Sequence, residues 1–307
     1  MARHAVGAVV AEDAAGAGAK MMDRFGIGWR PELAAGILCN LQDIDVVEVI
    51  AEDYFSAPRN KVRALRTLSG QVPVVLHGVS LGLASAVPVD MPRLDRLARL
   101  VETTKAESWS EHLAFVRGGG YEIGHLASPP RTDATIEGAA KNLAAARQIV
   151  GALPAVENIA SLIDPPGSRY DEPGWISEIL SLSRTELLLD LHNVYTNAVN
   201  FGFDPLDFLA RIPWSQVTTI HIAGGEWITS DSSSGPPRML DDHLHDVPVA
   251  VYDLLRAAGA SASRPLTVIL ERDGSYPPIQ ELLAQLQTAR NALAEGRALQ
   301  PRHQGVV

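Results

Sequence analysis

Short, β-branched apolar runs alternate with helical segments eight times between Phe25 and Leu293. This alternation limits the fold more than any other feature. Strands that follow one another through helices pair in parallel and are covered on both faces, so they read as nearly continuous apolar runs. FGIGW, VVEVI, VPVVLHG, SWSEHLAF, LPAVEN, ELLLDLHN, VTTIHIAG and LTVILE read as strands. The segments between them read as helices: PELAAGILCN with Pro31 in its first turn, Arg59–Leu68, Met91–Ala106, Thr135–Val150, Trp175–Ser183, Pro205–Ile212 and Val247–Ala258. Leu94, Leu97, Leu100 and Val101 share one helical face, and Leu282, Leu286, Ala289 and Leu293 share the buried face of the last helix. Eight βα units in roughly 270 residues predict a single-domain α/β fold, a (β/α)8 TIM barrel. An open doubly wound sheet is the alternative, but no Gly-rich dinucleotide loop follows the first strand. Residues 1–23 are expected to be a loose leader, 24–296 the barrel and 297–307 a loose tail.

Seven of the runs finish on or beside an acid, a histidine or both. The endings carry Glu52 and Asp53, His77, Glu111 and His112, Glu157 and Asn158, Asp190 with His192 and Asn193, His221, and Glu271. Asp241 and His243 add the same chemistry in the loop DDHLHD. In a barrel of this kind functional residues lie at the C-terminal strand ends, so these side chains are expected to meet at one rim. Singly, each has a plain reading as a salt bridge or a hydrogen-bonded core residue. Together they exceed what one ion needs, and two or three ions sharing carboxylates about 3.5–4 Å apart would satisfy them. Glu111 and His112 are adjacent, so within a strand they point to opposite faces; Asp190 and His192, two apart, can both point inward.

Composition narrows the chemistry. The single cysteine, Cys39, excludes an intramolecular disulfide and a thiolate cluster, leaving N and O ligands. A formal net charge of −10 without a Lys/Arg run argues against nucleic acid. No stretch approaches the roughly 20 apolar residues that span a bilayer. Glu12 and Asp13 interrupt the apolar stretch Ala5–Ala11, unlike a secretory signal, so a cytoplasmic, membrane-free protein is expected. Trp227 with Ile228–Met239, and Arg117 with Gly118–Gly120, read as surface connections on the active rim or as lids.

The strings GIGWRPEL, EVIAEDYF, LHGVSLGL, WSEHLAF, ENIASLI, LLLDLHNVYTNAVNFGFDP, IHIAGGE, DDHLHDVPVAVYDLL and ILERD occur in order over most of the chain. They resemble the multinuclear non-haem iron-dependent oxidase family, of the methanobactin-biosynthesis B type. The resemblance implies an iron-dependent oxidoreductase. It would hold two or three iron ions and use O2 to modify a ribosomally made precursor peptide, commonly at cysteine, often with a small partner protein that presents the peptide. It implies iron-binding motifs at Glu52, His77, Glu111 or His112, Glu157, Asp190, Asn193, His221, Asp241, His243 and Glu271, and a catalytic group at Asp190, His192 and Asn193. This chain departs from the pattern at Ile50, where a histidine is common, at Asp53, where asparagine is common, and at His192, where asparagine is common. His192 would either restore the nitrogen lost at Ile50 or support other ligands. Alternative readings are another divalent-metal barrel enzyme, such as a sugar isomerase or an endonuclease, and a non-catalytic metal- and peptide-binding homologue.

Overall fold

In the computed structural model, which describes residues 22–228 and 237–300, eight parallel strands close into a barrel. The strands are β1 (Arg24–Gly28), β2 (Val46–Ile50), β3 (Val74–Gly78), β4 (Ser108–His112), the hairpin strands β5 (Phe115–Gly118) and β6 (Tyr121–Ala127), β7 (Ala155–Glu157), β8 (Glu186–Asp190), β9 (Val217–Ile222), the antiparallel pair β10 (Glu226–Ile228) and β11 (Arg238–Leu240), and β12 (Thr267–Leu270). The barrel order is β1-β12-β9-β8-β7-β4-β3-β2, with β2 returning to β1. The (β/α)8 barrel predicted from the alternation is the architecture observed. The two small sheets lie outside the barrel sequence.

The helices are α1 (Ala34–Cys39), α2 (Glu52–Phe55), α3 (Arg59–Leu68), α4 (Met91–Thr104), α5 (Asp133–Val150), α6 (Glu172–Ser183), α7 (Leu191–Phe201), α8 (Pro205–Ala210), α9 (Val249–Ser261) and α10 (Ile279–Ala298). Their ends follow local chemistry. Asp90 accepts from Arg93 N at the start of α4, and Thr132 and Thr135 form a capping box on α5. Leu94, Leu97 and Leu100, and Leu282, Leu286, Ala289 and Leu293, are buried as their spacing predicts. Glycine decides one contact: a Cβ on Gly296 would lie 2.0 Å from Arg256 O, so only glycine lets α10 press against α9.

Two local expectations are corrected. SWSEHLAF is not one strand: β4 stops at His112, and Phe115 begins the hairpin β5–β6, turned by Gly119 and Gly120 in left-handed backbone. ELLLDLHN is not all strand either. Asp190 accepts from Asn193 N at 2.6 Å and so caps α7, which puts His192 and Asn193 in a helical first turn. Arg297, where a loose tail is expected to begin, lies within α10 and binds Asp23 through Nε at 3.1 Å and Nη2 at 2.8 Å. The leader residues 1–21, the loop residues 229–236 and residues 301–307 lie outside the described residues. Among the described residues no helix is long and apolar enough to cross a membrane.

The strand period of two sorts the barrel interior into layers. Val46, Val75 and Ile269 form a separate buried apolar group toward the N-terminal end. Two residues on, the same strands carry Glu48, His77 and Glu271, all buried. The polar layer therefore sits above an apolar floor, at the C-terminal ends of the strands.

One carboxyl outside this layer gives a stability prediction. Burial pushes Glu172, at the start of α6, up to about 7, against the opposing pull of Arg131 and of Asn197, whose Nδ2 donates to it at 3.3 Å. A carboxyl raised above its unfolded value of about 4.3 favours the folded state at low pH, and that contribution is lost as pH rises through 7. Glu172→Gln should therefore stabilise the protein by about 1–2 kcal/mol at pH 8, after discounting for partial exposure, and by about a third of that at pH 5. Thermal unfolding of both proteins at the two pH values checks this; an equal shift at both would contradict it.

Candidate metal centre

The polar layer resolves into three groups whose ligand atoms lie within 4.8 Å of one another: His77, His112 and Glu157; Glu157, Asp190, His221 and Glu271; and His192, Asp241 and His243. Glu157 belongs to two of them. These groups contain nine of the twelve residues expected to bind metal. His77 Nε2 and His112 Nε2 stand 3.3 and 3.4 Å from Glu157 Oε2. Their other nitrogens are taken: His77 Nδ1 pairs with Ser110 Oγ at 2.7 Å, and His112 Nδ1 with Gly78 O at 3.2 Å. His221 Nδ1 lies 3.1 Å from Glu271 Oε2 and 3.4 Å from Glu157 Oε1, and its Nε2 lies 3.0 Å from Glu48 Oε2. Asp241 Oδ1 lies 2.7 Å from His192 Nδ1 and 2.9 Å from His243 Nε2.

The other three expected residues are placed differently. Glu52 Oε1 accepts from Val79 N at 3.1 Å and Ser80 Oγ at 2.5 Å. Glu111 accepts from Leu81 N and from His112 N, each at 2.9 Å. Both carboxylates thus hold the loop after β3 and stand outside the three groups. Asn193 sits beside the groups: its Nδ2 donates to Asn158 O at 3.0 Å and its Oδ1 is buried without a partner. Asn158 in turn clamps Asp190, accepting from its N–H at 2.9 Å and donating to its carbonyl at 3.0 Å. Ile50 pairs in register with His77 and lines the cavity wall. Its strand β2 is four places from β8 in either direction around the barrel. His192, which follows β8, thus enters from the opposite wall and joins Asp241 and His243, not the position vacated at Ile50.

The electrostatics are those of a crowded ligand cage. Burial, with His112 and His221 alongside, holds His77 well below the usual imidazole range. Burial also works to lower His112, but Glu157 and Glu111 outweigh it and lift it to about 9. His221 is raised well above its usual value because Glu271, Glu48 and Glu157 overcome its burial. Burial, joined by Glu157, Asp241 and Glu271, drives Asp190 well above the carboxylate range. Burial would raise Glu271 too, yet His221 and His243 carry it well below.

Whether an ion fits is decided by unpartnered atoms. Glu157 Oε2, Asp190 Oδ2, His192 Nε2, Asn193 Oδ1, His221 Nδ1, His243 Nε2 and Glu271 Oε2 are all buried without a hydrogen-bond partner. Buried polar atoms are rarely left so, and an ion is one standard remedy. Several of these atoms approach others at 2.9–3.4 Å without hydrogen-bond alignment. Neighbouring ligands about 2.1 Å from a common ion stand about 3 Å apart. Mixed imidazole and carboxylate donors suit iron, zinc or manganese. The groups open into a cavity of about 1170 Å³, walled by Phe115, Val116, Ile159, Leu162 and Ile163 among others. A fourth group, Glu226, Asp242 and His245, lies nearer the outer surface.

Three residues lie outside the strand-end pattern: Glu48 and Arg30, both buried, and Asp273, whose side chain is 40% exposed. Glu48 sits mid-strand in VVEVI, and its signal is phase: it is two residues before Ile50 and so faces inward.

The chain is 37% identical over 279 residues to a UPF0276 protein of Streptomyces avermitilis, covering 87% of this chain and about half, 54%, of that relative. It is 32% identical over 276 residues to a UPF0276 protein of Caulobacter vibrioides, covering 90% and 96% of the two chains. Among solved structures, an L-ribulose 3-epimerase superposes with a TM-score of 0.55 at 15% identity, covering 92% of this chain and 100% of the other. Endonuclease IV from Thermus thermophilus gives 0.53 at 15%, covering 89% and 99%. At such identities these two share the fold alone. The family model for the RiPP precursor modification enzyme MbnB/TglH/ChrH matches residues 24–294, and the chain belongs to that family.

Proposed function

We propose that the barrel mouth holds two or three iron ions and that the chain is an O2-dependent oxidase of a ribosomally made precursor peptide, acting at cysteine. A small partner protein that presents the peptide and a cytoplasmic setting belong to the same reading. The observation that carries it is that six buried ligand atoms without hydrogen-bond partners fall within the three groups, two of which share Glu157. His77, His112 and Glu157 would hold one ion, Glu157, Asp190, His221 and Glu271 a second, and His192, Asp241 and His243 a third. Bound iron would supply the one-electron exchange with O2 that side chains lack.

The chain's own residues provide the remainder. Ser110 and Gly78 O fix the rings of His77 and His112 so that both Nε2 atoms face Glu157. Glu48 does the same for His221, leaving Nδ1 free. Asp190 is locked by Asn158 and Asn193, with only Oδ2 aimed into the site. The cavity exceeds the roughly 300–1,000 Å³ of ordinary small-molecule sites and suits a peptide segment.

Iron-loaded protein should consume O2 only with a cognate cysteine-containing peptide, and the peptide mass should change. Oxygen electrode traces and mass spectrometry check this. Equal turnover by the zinc-loaded protein would contradict the oxidase reading.

A further inference from the structure

We propose that Asp273, anchored by Arg30, is a positioning residue that fixes the ring of His243 with Nε2 directed at the group it forms with His192 and Asp241. This rests on the reading of that group as a metal site.

Asp273 makes two separate bonds to His243. Its backbone N–H donates to His243 O at 2.9 Å, and its Oδ2 lies 3.0 Å from His243 Nδ1. The first bond matters because His243 has φ +55°, a left-handed conformation that a non-glycine residue adopts at a cost. Asp242 and His245, on either side of this residue, pair with each other at 3.1 Å, while Asp241 faces His243 Nε2. The second bond occupies Nδ1 and leaves Nε2 as the nitrogen presented to Asp241 at 2.9 Å, buried and without an aligned partner.

Arg30 sets the carboxylate. Its Nε donates to Asp273 Oδ1 at 2.8 Å, and its Nη2 donates to the same oxygen, so Oδ2 remains for the imidazole. The guanidinium is itself pinned by Trp29 O, which accepts from Nη1 at 2.9 Å, and it lies over Gly28, where a Cβ would come within 3.3 Å of Nη1. Arg30 is buried, unusually for an arginine so near a strand end. Glu271 Oε2 also stands 3.8 Å from His243 Nδ1. Asp273 therefore also keeps that proton away from a carboxylate of the neighbouring group. A metal-bound imidazole whose second nitrogen donates to a carboxylate is the arrangement that holds such ligands in one tautomer and orientation.

The test uses the full chain and anaerobic Fe(II) titration. Asp273→Ala should weaken binding of the most affected ion 10–100-fold, while the metal-free variant unfolds within a few degrees of the wild type. Asp273→Asn offers one acceptor oxygen to two donors, Arg30 and His243 Nδ1, and should recover only part of the affinity. In Zn(II)-loaded wild type, ring-15N spectra assigned with His243→Gln should show His243 bound through Nε2 with a proton on Nδ1. The proposal is overturned if Asp273→Ala binds Fe(II) like the wild type, or if His243 is bound through Nδ1. Wild-type protein that binds no metal would instead remove the proposed function itself.

Discussion

Replacing Glu157 by glutamine is expected to cost this protein most of its metal and at least about 10³-fold in turnover. That exceeds the 10–100-fold typical of residues that only support ligands. Glu157 is the one carboxylate placed in two ligand groups: Oε2 stands 3.3–3.4 Å from two imidazoles and Oε1 3.4 Å from a third. Glutamine keeps the shape and removes the charge, so folding should be preserved while two ions lose a shared anionic ligand. Metal per chain by elemental analysis, with O2 uptake on the same samples, measures the effect. Metal content equal to that of the wild type would show that Glu157 plays only a structural part.

The second large effect concerns metal removal and its pH dependence. Ligand binding to the folded state alone stabilises by about 4 kcal/mol at a thousandfold excess over Kd, so stripping several ions should lower the unfolding temperature by ten degrees or more. The size of that loss should grow with pH. His112 has a folded value of about 9, above its unfolded value of about 6.5. In the metal-free protein its contribution is complete below pH 6.5 and is lost as pH rises through 9. In the loaded protein an ion replaces that proton, so no such loss occurs. The interval between loaded and stripped unfolding temperatures should therefore widen from pH 6.5 to 9. Uptake should also release protons, since His112, His221 and Asp190 hold them in the stripped protein. Unfolding scans across this range and calorimetry in buffers of different ionisation enthalpy test both parts. An interval that narrows with pH would contradict the cage of protonated ligands.

Much of this architecture is legible in the chain because the physics is periodic. Apolar runs of strand length, each followed by a helix, leave few options other than a closed parallel barrel, and all eight barrel strands fall on the runs. The polar endings likewise come together at the C-terminal rim, because a strand that leaves the apolar interior must end where polar groups can be satisfied. What escapes is set by contacts distant in sequence or by local capping. Glu48 lies between valines and looks like an isolated charge, until β9 brings His221 against it across 173 residues. Arg30 and Asp273 meet across 243 residues through the closure of β12 on β1. The adjacent pair Glu111 and His112 divides as strand alternation requires. The histidine faces Glu157, and the acid turns back over Gly78 to hold a loop. Asp190 and His192 appear to the eye of a strand pattern as two inward residues. The cap that Asp190 makes with Asn193 N starts a helix between them, and His192 reaches the site from that first turn.

In the proposed centre, imidazoles and carboxylates from opposite walls of the barrel would enclose a small group of ions. An iron-loaded crystal measured across the iron absorption edge tests it most directly. Two or three anomalous peaks about 3.5–4 Å apart are expected, with Glu157 between two of them. No iron at the mouth, or iron only at the outer group of Glu226, Asp242 and His245, would contradict it.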